Sequence, residues 1–528
     1  MAASASQALG RQVSIGGPLR FVPAFSPTLE IRDVRIANPP GWPEGELARL
    51  DRARLQLGVL SPLLGRIVLE EVRVEGGLLR LEIDAGAREN WRFKAAPAPQ
   101  NRVEPEQPED TEEQRRANLV ATLADWIRDV EISELILREI RVEHRDARTG
   151  SEASFFIEEM TGAAATHGPI ELEAHGSLRD HPYRVEIDGG PLIGLLARQD
   201  QPWPLRLSLE IAETRLRLRA LLDEPLLAPE RLETQSSGGK PIGALEIEIE
   251  GERLSSLETL SGVELPDWGP WAFSSRFAAQ SGDRRSAEVA LRVGRSDFTG
   301  TMLAELLREP PRFDVALTAG TLRLDDFPLG DWSPRGAEKA PVAMGAEKTA
   351  REPRPRALLS AETLGRLDAE LSVESDRVLS GRDRMGASRL EAKLEQGKLS
   401  VQPWRLEFPG GSAELTAAFH PTHDELQSEI HLRVDRFDYG IVARRSDPET
   451  EMGGRIDLDL DLSARSPTGE RIMPYANGHL DLGVFPDGLE AGVIEFWAVN
   501  LAMAVIPVVN SGGGWTFNCG VVSLSLIH

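Results

Sequence analysis

The stretch Trp203-Pro204-Leu205-Arg206-Leu207-Ser208-Leu209-Glu210-Ile211 decides the fold. Leu205, Leu207, Leu209 and Ile211 take every second position, with Arg206, Ser208 and Glu210 between them. Successive side chains of an extended chain point to opposite faces, so this period of two makes a strand with one wet face and one apolar face. The pattern returns as Leu245, Ile247 and Ile249 against Glu246, Glu248 and Glu250. It returns again as Ile456, Leu458, Leu460 and Leu462 against Asp457, Asp459 and Asp461. Helical patterns that could cover so much apolar surface are scarce. The apolar faces must therefore meet a second sheet or an apolar ligand. The fold class predicted is mainly β: a long, curled antiparallel sheet or groove of repeated β units, with a few short helices.

Outward from that stretch, the spacing predicts about five strands between Leu29 and Phe93. Ile67 and Leu69 share a face, and Val72 and Val74 continue it one residue out of step, as a β-bulge does. Leu79, Leu81 and Ile83 read as a separate strand. Residues 94–113, rich in Pro, Ala, Glu and Gln, read as a linker. Leu119, Leu123, Trp126, Ile127 and Val130 share one face of a helix expected over about 114–129. Strands resume at Ile132 and run to about Phe327, and residues 330–358 read as a disordered linker. Alternation returns at Leu367, with Leu371, Leu406, Leu415 and Leu432 among its apolar positions. An apolar helix is expected over about 488–506 and a last strand over about Phe517–Leu526. The units expected are 1–93, 114–329 and 359–528, separated by the two linkers.

The 528 residues, 41% apolar and 27% charged, are those of a folded chain. A net charge of −24 argues against a nucleic-acid partner, which needs a basic stripe. Cys519 is the only cysteine, so no intrachain disulfide forms. No stretch of about eighteen apolar residues is present to span a bilayer as a helix.

Motifs for chemistry are weak. Ser296 sits in Gly294-Arg295-Ser296-Asp297-Phe298, which lacks the second glycine of a nucleophile elbow. His420, His423 and His431 lack the helical spacing of a zinc pair, and read as an exposed turn leading into a strand. Asp457, Asp459 and Asp461 form a ladder that calcium could bridge, but no EF-hand glycine or bidentate Glu follows, and the reading is a solvated outer face. Gly512-Gly513-Gly514 lacks the lysine of a phosphate loop. The expectation is a protein with no catalytic, metal or cofactor residues, whose working surface is an apolar lining. Its candidates are Leu205, Leu207, Leu209, Ile211, Leu245, Ile247, Ile249, Leu371, Leu406, Leu415, Leu432, Leu458 and Leu460.

Three sets of local signatures, in order along the chain, resemble the AsmA family of Gram-negative envelope proteins. The first comprises Ala8-Leu9-Gly10-Arg11, Leu29 to Val34, Asn38-Pro39-Pro40-Gly41, Ser61 to Gly65 and Glu89-Asn90-Trp91. The second comprises Val293 to Gly300 and Leu322 to Phe327. The third runs from Asn477-Gly478-His479-Leu480 to Asn518-Cys519. The resemblance implies a periplasm-facing protein, held in the inner membrane by an N-terminal anchor that lies outside these residues. It further implies a role in outer-membrane assembly and, in the wider group, movement of phospholipid along an open apolar groove.

Acyl chains make no hydrogen bonds, so a Leu, Ile, Val and Ala lining binds them by area alone, at about 0.8 kcal/mol per methylene. Roughly 25–30 strands at about 4.8 Å would extend about 120–145 Å as an unbroken sheet. Phospholipid acyl chains are thus the partner expected. The alternative is a periplasmic scaffold for outer-membrane protein assembly that touches no lipid, its apolar faces closed into sandwiches. A hydrolase is disfavoured, since no nucleophile, base and orienting group assemble from these motifs.

Overall fold

The computed structural model of the chain describes residue 6 and residues 11–91, 130–223, 243–328, 358–441, 453–486 and 521–526, with short interruptions between strands. The chain divides into two compact units, residues 1–249 with 278–282, and residues 250–277 with 283–528. Both are mainly β, as the alternation predicts.

The first unit begins with β1 (Val13–Ile15), β2 (Arg20–Val22), β3 (Thr28–Ala37), β4 (Glu46–Leu57) and β5 (Ile67–Ile83). It continues with β6 (Val130–Asp146), β7 (Ser151–Ala164), β8 (Ile170–Leu178) and β9 (His181–Gly189). A four-residue helix α1 (Ile193–Leu196) precedes β10 (Trp203–Ile211) and β11 (Thr214–Leu222), and β12 (Ala244–Gly251) follows. The short β1 and β2 lie end to end along β3, and pairing then proceeds neighbour by neighbour to β11. Ion pairs Arg217–Glu248 (3.8 Å) and Arg219–Glu246 (3.7 Å) join β11 to β12. Every pairing is antiparallel except β5 with β6, which is parallel.

The second unit holds β13 (Trp271–Phe277), β14 (Arg284–Val293), β15 (Ser296–Glu305), β16 (Arg312–Ala319) and β18 (Asp368–Ser375). It continues through β21 (Ser388–Glu395), β22 (Lys398–Phe408), β23 (Gly411–Pro421), β24 (Glu425–Asp438), β25 (Gly454–Pro467), β26 (Ala476–Pro486) and β27 (Val521–Leu526). These pair in chain order, antiparallel except for β16 with β18. β17 (Leu322–Arg323), β19 (Val378–Ser380) and β20 (Asp383–Arg384) form a separate three-stranded sheet. Short helices α2 (Glu258–Ser261) and α3 (Ala361–Leu364) complete the unit. The large sheet of these strands does not close on itself.

Each parallel pair accounts for a long connection. Parallel neighbours need a crossover of a dozen residues or more, whereas an antiparallel pair needs only a turn. The segments 84–129 and 320–367 are those crossovers. The division between units falls between Ile249 and Glu250 and not at 94–113 or 330–358, because each of those segments joins two strands of one sheet. The linkers themselves, the helices expected over 114–129 and 488–506, and residues 517–520 of the expected last strand lie outside the described residues.

Bulges keep the apolar residues on one face. Residues 67–83 form a single strand where two are expected from the sequence, since the step between Val74 and Leu79 is an irregularity and not a break. The register passes from Gln56↔Glu71 to Leu57↔Leu69, so Glu70 is the extra residue, at the slip read between Leu69 and Val72. A second irregularity crosses five successive strands. Ile31 and Val34, Leu50 and Ala53, Val74 and Gly77, Leu137 and Ile140, and Ile157 and Met160 are each separated by two residues instead of one. Asp33, Gly76 and Glu139, in these gaps, have φ of +50°, +68° and +56°. The left-handed step lets apolar residues three apart share a face, and such bulges bend a strand and sharpen its twist.

Candidate functional site

Register turns separate strands into continuous apolar rows. One row crosses the first unit as Phe21, Leu29, Leu55, Val72, Leu135, Gly162, Leu172, Ile187, Leu207 and Leu218. The next runs Ile31, Ala53, Val74, Leu137, Met160, Ala174, Val185, Leu209 and Leu216. From Leu29 to Leu218 no member of the first row is fully buried; each is half-buried. A packed sandwich core would bury these leucines almost completely. Here one face keeps apolar side chains in contact with solvent along nine strands, β3 to β11.

The second unit repeats the arrangement. Phe277, Ala287, Met302, Val315, Leu371, Ala392, Val401, Ala417, Ile430, Leu462 and Gly478 form one row. Trp404, Leu415, Leu432, Leu460 and Leu480 form a second, and Leu406, Ala413, Val434, Leu458 and Leu482 a third.

The intervening positions build the opposite faces. Arg32, Arg52, Glu75, Arg138, Glu159, His175, Arg184, Glu210 and Arg215 make one such row in the first unit. Arg138–Glu159 (2.6 Å) and Arg215–Glu210 (2.8 Å) pair across it, and Arg405–Glu414 (2.9 Å) does so in the second unit. All are solvent-exposed, where a pair contributes about 0–1 kcal/mol. Their main effect is to hold water on that face.

The strand ends are covered. Leu192 and Leu195 pack against the buried Ile170, Trp203, Ala220 and Leu222, as do Leu172, Leu205 and Leu218. Trp203 is fixed there by donating from Nε1 to the Pro191 carbonyl at 2.8 Å. In the second unit Val378 and Met385 pack on Leu406, Phe408 and Ile441.

All thirteen residues expected as a lining lie on apolar faces, but not equivalently. Leu207, Leu209, Ile211, Leu371, Leu415, Leu432, Leu458 and Leu460 are half-buried in the rows. Leu245, Ile247 and Ile249 are half-buried too, on the face of β12 opposite the ion-paired Glu246 and Glu248. Leu205 lies at a covered margin. Leu406, 7% exposed beneath Val378 and Met385, is part of a core, so it does not join an open lining. Sequence reasoning missed Val72, Leu135, Leu172, Ile187 and Leu218 as members of the row. Plain alternation marks Leu172, Ile187 and Leu218, whereas Val72 and Leu135 each follow an apolar residue across two polar ones.

The motifs behind the resemblance are brought together in pairs. Asn90, 0% exposed, donates from Nδ2 to the Arg80 carbonyl (2.9 Å) and to Asn38 Oδ1 (3.1 Å), and accepts from the Glu82 N–H (2.8 Å). The Asn38-Pro39 and Glu89-Asn90-Trp91 signatures therefore meet in one clasp. Ser296, also 0% exposed, donates to Asp326 Oδ2 at 2.7 Å and accepts from the Arg323 N–H at 2.9 Å. Asp326 accepts from the Arg295 N–H as well, and a Cβ on Gly294 (φ +58°) would sit 2.4 Å from its carboxylate. Ser296 is thus a structural clasp, as its sequence context implies. Ser296→Ala is expected to lower stability by about 1–3 kcal/mol, the cost of the unpartnered Arg323 N–H, measurable by denaturant melts of the second unit.

One constellation was not legible in the sequence. His431, Asp461 and His479 are direct cross-strand partners on the polar face of β24, β25 and β26. Asp461 bonds His431 through one carboxylate oxygen and lies 3.0 Å from His479 Nε2 through the other. His420 and His423 are exposed at the β23–β24 turn, the reading their spacing suggests.

Among the described residues no helix is long and apolar enough to cross a membrane. Residues 1–154 match the family model of the AsmA family. The chain is similar to the AsmA family protein YhjG of Escherichia coli (strain K12), 21% identical over 542 residues, which cover 95% of this chain and 73% of that protein. The N-terminal signatures fall inside the matched 154 residues; the middle and C-terminal ones lie beyond them. No solved structure matches.

Proposed function

Starting from kinship with the AsmA family, we propose that this chain is a non-enzymatic protein of Gram-negative envelope biogenesis that binds phospholipid acyl chains along its apolar sheet faces. The observation that carries the reading is the half-buried row from Leu29 to Leu218. Nine strands at about 4.8 Å give a track of about 38 Å, well over the roughly 15 Å depth of one bilayer leaflet. Each methylene laid on that track and removed from water contributes about 0.8 kcal/mol. Because the lining is uniform, the gain is similar at each step, and an acyl chain slides with its headgroup in solvent. The setting proposed is periplasmic, with attachment to the inner membrane through a segment outside these residues and action in support of the outer membrane.

A test is native mass spectrometry of the chain purified from bacterial membranes in a mild detergent. Bound acyl lipid, in more than one copy, is expected. A lipid-free chain held instead in a stoichiometric complex with another protein would favour the second reading, a scaffold for outer-membrane protein assembly.

A further inference from the structure

We propose that the polar face near the C-terminal edge of the second unit carries a binding site for one zinc-like divalent cation, made by His431, Asp461 and His479 with Asp459. Three adjacent strands each contribute. His431 on β24 and His479 on β26 face Asp461 on β25 from its two sides. Asp459, two residues away, projects from the same face of β25. Ligand atoms of Asp459, Asp461 and His479 already lie within 4.8 Å of one another, and His431 Nδ1 is in contact with Asp461.

The donor set selects the metal. Two imidazole nitrogens with carboxylate oxygens suit Zn²⁺, whereas Ca²⁺ and Mg²⁺ take oxygen ligands. Tetrahedral zinc holds its ligands at about 2.0–2.2 Å, so its donor atoms stand about 3.4 Å apart, and His431 and His479, now bonded to Asp461 directly, would open slightly to admit the ion. The His431 and His479 side chains are 63% and 49% exposed, so an ion enters directly from solvent.

The surroundings leave these donors available. Asp457, the third acid of the ladder, is occupied by the Arg436 N–H at 2.6 Å. Arg433, opposite Asp459, turns to Asp435 at 3.5 Å, and Asp481 on the other side of Asp459 adds negative charge. The site is separate from the apolar rows, since the same strands present Leu432, Leu460 and Leu480 to the opposite face. A bound ion would staple β24, β25 and β26 together next to the terminal strand β27.

The test is isothermal titration of Zn²⁺ into chelator-washed, full-length protein carrying no polyhistidine tag, with a thermal melt of each mixture. Saturable binding of one ion per chain is expected, with a rise in melting temperature by mass action. Both are expected to be lost in the His431→Ala/His479→Ala double variant and kept in His420→Ala/His423→Ala. Circular dichroism of the metal-free proteins checks that each variant is folded. Co²⁺ in place of Zn²⁺ is expected to give the visible absorption of a tetrahedral ion. The proposal is overturned if the wild-type chain shows no saturable Zn²⁺ binding, if the double variant binds as tightly as the wild type, or if Ca²⁺ competes on equal terms.

Discussion

Leu207→Asp is expected to strip acyl lipid from the purified chain while leaving the fold intact. Leu207 lies between Ile187 and Leu218, and all three are half-buried. A carboxylate there faces water in the lipid-free protein, so the stability cost is about 1 kcal/mol, in the range of surface changes. Once hydrocarbon covers the row, the same carboxylate is desolvated without a cation beside it, at a cost of several kcal/mol. That corresponds to a drop of about 100-fold or more in binding. Ser208→Asp, on the opposite face beside Arg217, is the matched control and is expected to bind lipid normally. Lipid per chain by mass spectrometry and a urea melt together decide the matter. Were the faces closed into a sandwich, Leu207→Asp would instead cost about 3–5 kcal/mol and unfold the first unit, with no selective effect on lipid. Leu432→Asp, in the row of Leu415 and Leu460, makes the corresponding test of the second unit.

The second large effect is expected at Asn90. Its amide serves one donor, the Glu82 N–H, and two acceptors, the Arg80 carbonyl and Asn38 Oδ1, with no access to water. Asn90→Ala leaves a buried donor and a buried acceptor unmade, each worth about 1–3 kcal/mol, so a loss of about 3 kcal/mol is expected. Asn90→Asp is expected to be little better, because it restores the acceptor but not the two donated bonds. A chain of two units need not unfold in one step. Hydrogen exchange at the Glu82 amide is therefore the sharper measurement, and unchanged protection there would show that the clasp does not hold the end of β5.

These two residues show how differently the sequence speaks. Leu207 is legible because strict alternation needs only its neighbours in the chain. Asn90 stood out as part of a signature, yet its partner Asn38 lies 52 residues earlier and only folding brings them together. The phase slip at Leu69–Val72 could be read as a bulge. The one through Asp33, Asp51, Gly76, Glu139 and Glu158 could not, since two polar residues in a row look like the end of a strand. For that reason the single strand Ile67–Ile83 reads as two. Residues 94–113 and 330–358, inside the crossovers, read as linkers between domains, because composition reports polar, proline-rich sequence but not that the strands on either side are neighbours.

By itself the sequence determined the local state of the chain: strands with one apolar and one charged face. That follows from the period of two, which is a property of the extended backbone alone. Tertiary structure decided which strands adjoin, that two of the pairings are parallel, and that the apolar positions align in continuous rows, one of them half-buried from Leu29 to Leu218. It likewise placed His431 and His479 on either side of Asp461. The physical reason is register. A one-residue shift between neighbouring strands would leave each strand's own pattern unchanged, yet it would set leucine against arginine and dissolve both the apolar track and the histidine pair.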